Sequence, residues 1–588
     1  MPSAGAAPVA RSARRMRRAP VFWTIVVLCA AFAFAHAWAL RWTCDDAFIS
    51  FRYAGNLVAG HGLVFNLDPQ EMPVEGYTNF AWTLWLALGL VLGWTGDALE
   101  TWAACWGALL HAGTVLVLGY AAWRSSRGRA IVPIAAPAWA VHYYGASLAP
   151  AGLETALFVF LATTLAVLAI DRSSRRRLWL LGGLGVLAAT TRPDGALLVM
   201  AAGVVVLADA IRARAPRDVV AYAAPLVLGM VPYLLWRHAY YGYWVPNTFY
   251  AKSGADPYAS QGLHYVLDYV ACHAVALVPA LLALLLLPLR RGDPAAAEPW
   301  SCRRAGLALL LFVVPYVAFV VWVGGDFMFG RFLLPVTPLL MLALDVLFAR
   351  RPWLAPCAAL VAVAGTWWRH DPPGMDDFGN PAGYSDNRAI SMLPADASGI
   401  TRADYARGAG HAVGDLFAGL GVRIGIAGGH ANFAWRWPVP VAIECAAGLT
   451  DAYIAHLPIP ARSRPGHERN WHLYPGYLEQ RGVHFMLEES YGNGTVVDHA
   501  RAITFPGRFK VGARIVTWDR ALMRELRRRA PDLVCVDFEQ ELDKYIAALP
   551  TKPKDQVRAD YAALREFYFD RNDDPARRSA IERFLEAN

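Results

Sequence analysis

Long apolar runs are the feature of this sequence that most constrains its fold. A hydrocarbon core of about 30 Å is crossed by about 20 helical residues, and runs of about this length recur through residues 21–369. Hydrophobic residues make up 56% of the 588-residue chain and the mean hydropathy is +0.30, both high for a soluble protein. The pattern predicts a polytopic α-helical membrane protein with about eleven spans. The predicted spans are 21–40, 99–123, 130–148, 152–170, 178–191, 194–211, 218–236, 268–289, 305–323, 332–349 and 353–369.

The first apolar run follows a basic segment, RSARRMRRAP, and ends in AHA. Cleaved signal peptides share this pattern. The run is long enough to span and further spans follow it, so we expect a retained membrane anchor.

The segment FAWTLWLALGLVLGW at 80–94 decides the predicted topology. It is apolar but short, and a full crossing would place every later basic loop outside. If it lies in the interface or re-enters, the arginine clusters all fall on one side, as the positive-inside rule requires. The net charge of +8 is then a topology signal, and no nucleic-acid partner is expected. With a cytoplasmic N-terminus (1–20), the predicted outer loops are 41–98, 142–153, 190–195, 237–266 and 323–331.

An odd number of spans places the polar tail outside as well. Its charged helices, such as ALMRELRRRA and ADYAALREFYF, alternate with short apolar strands, VRIGIAG, PVAIECA and DLVCVDF. This alternation is typical of an α/β domain. We expect a transmembrane catalytic domain over 21–369 and an extracytoplasmic α/β domain over 370–588. The eight cysteines are scattered singly, which argues against a metal cluster, although Cys445 and Cys535 could pair in the tail.

Two adjacent acids, Asp45 and Asp46, directly follow the first span. Adjacent residues cannot share one helical face, so only one of them is expected to point into a given pocket. A carboxylate there could act as a general base or a metal ligand. The structural alternative is a cap on the helix that AFISFRYAGNLVAG predicts, and we expect one of the two acids to have that role.

The predicted outer loops hold further polar residues that could bind substrate. Each alone is typical of an ordinary loop residue or a helix-terminal acid, whereas their collection on one side of the membrane favours a site. These residues are Arg52, His61, Glu75, Tyr77, Asn79, Glu154, Asp194, Asn247 and Asp326.

Three cations, Arg192, Lys252 and Arg331, lie on the side where the positive-inside rule disfavours them. Salt bridges from Arg192 to Asp194 and from Arg331 to Asp326 are one interpretation. The other is that the three cations converge on a lipid phosphate.

A set of motifs resembles, in chain order, the terminal β-arabinofuranosyltransferase family of cell-wall arabinan synthesis, which belongs to the GT-C superfamily. The motifs cover nearly the whole chain. They are DDAFISFRYAGNLVAGHGLVFN, VEGYTNFAWT, GLET, TRPDG, YGYWVPNTFYAK, GGDFMFGRFLLP, AAGLTDAYIAH and PGHERN.

The resemblance implies a GT-C fold in a bacterial plasma membrane and acidic catalytic residues in the first outer loop. It implies a polyprenyl-phosphate sugar donor and a cell-envelope glycan or glycolipid acceptor, with the sugar itself open. In the implied inverting displacement Asp45 is the favoured base and Asp46 the second choice, and Arg192, Lys252 and Arg331 bind the donor phosphate. A divalent metal ion held by Asp45 or Asp46 with Glu154 stays an open alternative.

Two other classes of function compete with a transferase. A transporter or flippase would use intramembrane acids as relay or coupling-ion sites, and a scaffold would bind envelope partners through its tail. The sequence shows no inverted repeat and its acids collect on one face, which favours the enzyme.

Overall fold

The fold is taken from a computed structural model of the chain. It describes residues 6–69, 71–171, 174–252, 257–290, 299–395, 397–427, 430–459, 476–487, 494–507 and 510–587, with side chains from residue 18 onward. The motif PGHERN at 465–470 lies outside the described residues.

Helices account for most of the described residues up to position 369. Five are long and apolar enough to cross a membrane: Arg18–Ala39 within α1, and α4, α9, α10 and α14; α12 and α13 add a sixth if that pair, bent by 108°, counts as one span. The helices are α1 Ala6–Ala39, α2 Asp45–Val58, α3 Phe80–Val91, α4 Ala98–Ser125, α5 Ala135–Ala140, α6 Tyr143–Leu148, α7 Thr155–Ile170, α8 Arg175–Thr191, α9 Gly195–Ala213, α10 Pro216–Tyr241, α11 Asn247–Ala251, α12 Ala259–Cys272, α13 Ala274–Leu286, α14 Cys302–Val323, α15 Thr337–Phe348 and α16 Ala355–Trp367.

The predicted membrane class is confirmed, but the predicted count of about eleven spans is not, because several apolar runs are not single long helices. The run 130–148 is divided between α5 and α6, where the His142 side chain accepts from the backbone N–H of Gly145 and caps α6. The run 268–289 lies across the 108° bend. Hydropathy records composition, whereas helix length depends on such breaks. The segment at 80–94 forms α3, which has 12 residues and is about 18 Å long, too short to cross a bilayer.

The tail holds a mixed six-stranded sheet in the order β2-β1-β3-β5-β4-β6. β1 pairs in parallel with β2 and β3, and the pairs β3–β5, β5–β4 and β4–β6 are antiparallel. The predicted strands VRIGIAG, PVAIECA and DLVCVDF correspond to β1, β2 and β6. The strands are β1 Arg423–Ile426, β2 Val441–Glu444, β3 Phe485–Leu487, β4 Ala502–Phe505, β5 Val511–Ile515 and β6 Val534–Cys535.

Helices surround this sheet. Cys535 is a free thiol that accepts from Arg527 Nη2 at 3.5 Å, so it forms no disulfide with Cys445. One cluster of buried apolar side chains continues from the apolar helices into the tail, reaching from Ala30 to Ile581. The tail helices are α17 Asn387–Met392, α18 Arg402–Phe417, α19 Ala431–Arg436, α20 Ala452–Ala455, α21 Tyr477–Gln480, α22 Arg520–Arg529, α23 Phe538–Ala547, α24 Lys554–Leu564 and α25 Pro575–Glu586.

Candidate active site

The two adjacent acids lie on different faces of α2, as their spacing predicts. Successive residues of an α-helix are rotated by about 100°. The Asp45 carboxylate accepts from the backbone N–H groups of Ala431 (2.9 Å) and Asn432 (3.0 Å), at the start of α19 in the tail. The Asp46 carboxylate accepts no hydrogen bond from the described part of the chain and lines a cavity. The prediction that one of the two acids caps α2 is therefore wrong, because the N-cap residue of α2 is Cys44, with no side-chain cap hydrogen bond, and the helix that Asp45 caps is α19.

Asp45 belongs to a face of α2 that docks the tail. Phe48 follows it by three positions, and the Arg436 guanidinium lies over the Phe48 ring at 4.7 Å. Gly55 lies so close to Trp435 that a Cβ atom there would be 2.8 Å from the indole ring. The spacing of these residues at three- and seven-residue intervals is the period of one helical face.

Arg52 lies on this docking face and not in the cavity, which corrects its predicted role in substrate binding. It is buried, and its Nε donates to the carbonyl oxygen of Phe65 (2.7 Å). Its Nη atoms donate to the carbonyl oxygens of Ala434 and Val439, the latter at 2.8 Å. With Asp45 on the N–H groups of α19 and Arg52 on carbonyl oxygens within and beyond it, each charge meets the helix end whose dipole it complements.

The cavity that Asp46 lines has a volume of about 330 Å³, within the range of small-molecule sites. We call it the cation cavity, because four cationic side chains are in its wall. It lies between α2, the loops before α3 and α7, the loops after α8 and α10, and the segment that follows α14. Its charged and amide-bearing residues are Asp46, Asn79, Glu154, Arg192, Asp194, Arg237, Lys252 and Arg331.

Arg192 is the centre of a buried polar network in this wall. Its Nε donates to Asp194 Oδ1 (2.9 Å) and its Nη1 to Glu154 Oε1 (3.3 Å). Asn79 Nδ2 donates to Glu154 Oε2 (2.9 Å), and the Tyr316 hydroxyl donates to Asp194 Oδ2 (2.6 Å). The predicted ion pair between Arg192 and Asp194 is therefore present, and it places Glu154 in the cavity wall with both carboxylate oxygens engaged.

Arg331 and Lys252 differ in how their charges are compensated. Arg331 donates to Asp326 through Nε and through Nη2, the latter at 3.1 Å, which is the predicted salt bridge. Its guanidinium and that of Arg192 both lie against the Phe332 ring, at 5.6 and 4.6 Å. Lys252 is exposed, and within the described ranges its ammonium forms neither an ion pair nor a hydrogen bond, so this group is available to a ligand.

Tyr77 lines the cavity, whereas Glu75 lies behind the wall and contacts Arg237, which lines it. Arg237 Nε donates to Glu75 Oε2 (2.6 Å), and the hydroxyls of Tyr77 and Tyr241 are 3.3 Å apart. Burial raises the pKa of Glu75 to about 7, although Arg237 acts in the opposite direction. Arg237 is not among the site residues that we predict from the sequence. It lies near the end of α10 on the predicted outer side, where the positive-inside rule disfavours a cation. The same rule singles out Arg192, and it could have identified Arg237 as well.

Two other predicted residues lie elsewhere, which corrects their placement. Asn247 Nδ2 donates to the carbonyl oxygens of Gly448 (2.8 Å) and Leu449 (3.0 Å), so it joins α11 to the tail. His61 is exposed and lines a separate cavity of about 300 Å³. Neither side chain is in the wall of the cation cavity.

Burial raises the pKa of Asp45 to about 6, against the opposing effect of its two backbone hydrogen bonds. The raised pKa does not make Asp45 a base for a ligand in the cation cavity. Both of its carboxylate oxygens accept hydrogen bonds from α19, and its side chain is not in the wall of that cavity. Among the residues that the structure describes, no three His, Cys, Asp or Glu side chains are grouped so as to hold a metal ion. This finding covers the set of Asp45, Asp46 and Glu154.

Comparison with known proteins gives two relatives of the same description. The chain is 30% identical over 429 residues to the terminal beta-(1->2)-arabinofuranosyltransferase of Mycobacterium tuberculosis, covering 63% of this chain and 65% of that protein. It is 30% identical over 374 residues to the protein of that description from Corynebacterium glutamicum, and the match covers 57% of this chain and 52% of that protein. The chain thus covers less than two thirds of either relative. No family model matches.

Solved structures with some likeness are oligosaccharyltransferases of Archaeoglobus fulgidus. The apo form gives a TM-score of 0.42 at 11% identity, covering 85% of this chain and 75% of that one. The form of AglB with an inhibitory peptide and a dolichol-phosphate gives a TM-score of 0.35 at 13% identity, covering 72% of this chain and 64% of that one.

Proposed function

We propose that this chain is a membrane glycosyltransferase that moves a sugar, arabinofuranose in the first instance, from a polyprenyl-phosphate donor to an envelope glycan or glycolipid. The sequence similarity to two arabinofuranosyltransferases supports the reaction class and the sugar. The observation that carries the proposal is that Asp46, with no partner in the described part of the chain, shares one cavity with Lys252 and Arg331.

Asp46 is the proposed general base, in place of Asp45. In the inverting displacement, an acceptor hydroxyl gives its proton to the Asp46 carboxylate while its oxygen forms a bond to the anomeric carbon. The bond from that carbon to the phosphate oxygen breaks, and polyprenyl phosphate departs with the electron pair. General-base catalysis of this kind contributes about 10² to 10⁴ in rate.

Lys252 and Arg331 are the proposed ligands of the departing phosphate. The charge on the phosphate grows as the bond breaks, so fixed cations stabilise the transition state more than the ground state. Lys252 is the better placed, because Asp326 already compensates the charge of Arg331. Arg192, held by Asp194 and Glu154, is proposed to shape the wall beside the phosphate rather than to bind it alone.

The proposed topology follows the arginine clusters. The N-terminal residues 1–20 are cytoplasmic, the domain 21–369 spans the plasma membrane with a GT-C arrangement, and the domain 370–588 is extracytoplasmic. The cation cavity, which includes residues of the loops 41–98, 190–195, 237–266 and 323–331, then opens on the outer side, where an envelope acceptor is available. A cysteine introduced at Gly96 should be labelled from outside the intact cell.

The test is a transfer assay with the purified full chain in lipid nanodiscs. Radiolabelled polyprenyl-phosphate arabinofuranose is the donor and a synthetic arabinan oligosaccharide is the acceptor, and NMR of the product reads the anomeric configuration. We expect an elongated, inverted product that Asp46→Asn does not form. Movement of the donor across a vesicle bilayer without transfer would refute the proposal and favour a flippase.

A further inference from the structure

Helix α12 has an exposed apolar side opposite its buried side. Leu263 and Leu267 are 49% and 54% exposed although both are apolar, and they lie one helical turn apart. We call these two residues the apolar stripe. The buried residues recur at intervals of three or four, which is the period of one helical face. They are Gly262, Tyr265, Tyr269 and Cys272.

A polar edge of α12 binds the first segment of the tail. Gln261 Nε2 donates to the carbonyl oxygen of Ala382, and the Tyr384 hydroxyl donates to Asp268 Oδ2. Gln261 and Asp268 are seven positions apart and therefore lie on one side of the helix. The tail thus covers this edge of α12 and leaves the apolar stripe uncovered.

Both ends of α12 are attached to the ends of apolar helices. At its start, the backbone N–H of Tyr258 donates to the carbonyl oxygen of Trp322 in the last turn of α14 (2.9 Å). At its end, the carbonyl oxygen of Cys272 accepts from the backbone N–H of His370, which follows α16 (3.0 Å). Because α14 is long and apolar enough to cross a membrane, α12 lies at the level where α14 leaves the bilayer.

The direction of α12 is close to the membrane plane. The next helix, α13, consists of alanine, valine and leucine with one proline, so it belongs in the hydrocarbon region. The bend of 108° between the two helices is close to a right angle and turns α12 along the surface. Trp322, Trp367 and Trp368 are exposed near the two ends of α12, and tryptophan collects at the membrane–water interface.

The buried side of α12 holds a loop of the cation cavity, residues 325–332. The Tyr265 hydroxyl donates to the carbonyl oxygen of Met328 (3.1 Å) and accepts from the backbone N–H of Phe332 (3.3 Å). A Cβ atom on Gly325 would lie 2.6 Å from the Tyr265 ring, so this contact is close. The same loop carries Arg331, which is in the wall of the cation cavity. A displacement of α12 therefore displaces Arg331.

We propose that the apolar stripe lies in the outer leaflet of the membrane and that this contact with lipid fixes the position of the loop 325–332. Amphipathic helices in the membrane interface bury their apolar side about 5–10 Å into the boundary between headgroups and acyl chains. The partner of the apolar stripe is thus a lipid surface, while the tail holds the polar edge. The contact itself is independent of the reaction, whereas its effect on donor binding rests on the proposed function.

The first test labels the wild-type full chain in nanodiscs of phosphatidylethanolamine and phosphatidylglycerol. A phosphatidylethanolamine with a photoactivatable diazirine near the glycerol end of one acyl chain is the probe, and peptide mass spectrometry locates the adducts. We expect adducts on Leu263 and Leu267. Leu282 of α13, as exposed as Leu267, is the positive control with a diazirine at the chain end, and the exposed tail residue Tyr453 is the negative control. Labelling of Leu282 without labelling of the apolar stripe would overturn the proposal.

The second test is a two-substrate kinetic analysis of the double variant Leu263→Gln with Leu267→Gln. The donor KM should rise by about three- to tenfold, because Arg331 is displaced, and the acceptor KM should stay within about twofold of the wild-type value. The matched control, Leu263→Met with Leu267→Met, keeps the stripe apolar and should leave both constants close to the wild-type values. Thermal unfolding in the same nanodiscs reads the folding of each variant.

The outcomes separate this inference from the proposed function. If the wild-type protein does not use the donor, the proposed function fails, and the labelling still decides whether the apolar stripe lies in the membrane. If the wild-type protein transfers normally and the glutamine variant keeps the wild-type donor KM, or raises both constants equally, lipid contact does not fix the loop 325–332.

Discussion

Replacing each member of the acidic pair by its amide separates chemistry from docking. Asp46→Asn removes the proposed base and should lower kcat by about 10² to 10⁴, which corresponds to about 2.7 to 5.4 kcal/mol of activation free energy. The fold should be unaffected, because the Asp46 carboxylate accepts no hydrogen bond from the described part of the chain. Asp45→Asn is the matched control, because it makes the same carboxylate-to-amide change at the neighbouring residue.

The effect of Asp45→Asn follows from two opposing contributions. Burial raises the pKa of Asp45 from 3.8 to about 6 even with both backbone hydrogen bonds in place, so a neutral amide removes a desolvation cost that the charged carboxylate carries. The amide keeps one acceptor oxygen and loses one of the two bonds from Ala431 and Asn432, each worth about 1.5–3 kcal/mol to a charged group. The two nearly cancel, and the change in unfolding free energy should stay below about 1.5 kcal/mol.

Both variants can be measured in one preparation. Single-turnover transfer from a polyprenyl-phosphate sugar gives the rate, and thermal unfolding in nanodiscs gives the stability. We expect Asp46→Asn to be inactive and folded, and Asp45→Asn to retain at least about a tenth of the wild-type rate. The reverse pattern, with Asp45→Asn inactive and Asp46→Asn active, would refute the assignment of docking to Asp45 and of the base to Asp46.

Three further outcomes are expected. Lys252→Met should raise the donor KM about tenfold, equivalent to about 1.4 kcal/mol, whereas Lys252→Arg, which keeps the positive charge, should leave the donor KM close to the wild-type value. Steady-state kinetics measures both constants. Asn247→Ala removes the donor to two tail carbonyl oxygens, so unfolding free energy should fall by about 1–3 kcal/mol, and limited proteolysis should cleave the tail faster. Burial raises the pKa of Glu75 from 4.5 to about 7, so its contribution to stability is lost as pH rises through that interval; the unfolding temperature of Glu75→Gln should decline less over the same range.

Local patterns predicted much of this structure. The membrane class follows from composition, and the separation of Asp45 from Asp46 follows from the 100° rotation between neighbouring helical residues. The salt bridges of Arg192 and Arg331 follow from the acids two and five residues away. Each of these inferences needs only residues that are close together in the chain.

Long-range contacts could not be predicted in this way. Asp45 binds backbone groups 386 and 387 residues away, and no property of the segment around Asp45 indicates that partner. The same applies to Arg52, whose acceptors in the tail are polar backbone atoms that any sequence would supply. Strands β3 to β5 have three to five residues, too short for alternation to distinguish them from loops.

The two faces of α2 restrict which changes in the length of this helix evolution can accept. An insertion of one residue between Asp46 and Arg52 would rotate the rest of the helix by about 100° and move Arg52 and Gly55 away from α19, while Asp46 stayed in place. A deletion would do the same in the opposite sense. Tail docking and the proposed base are therefore tied to one length of helix. Related chains should diverge within α2 by substitution, with insertions and deletions confined to the residues after Val58.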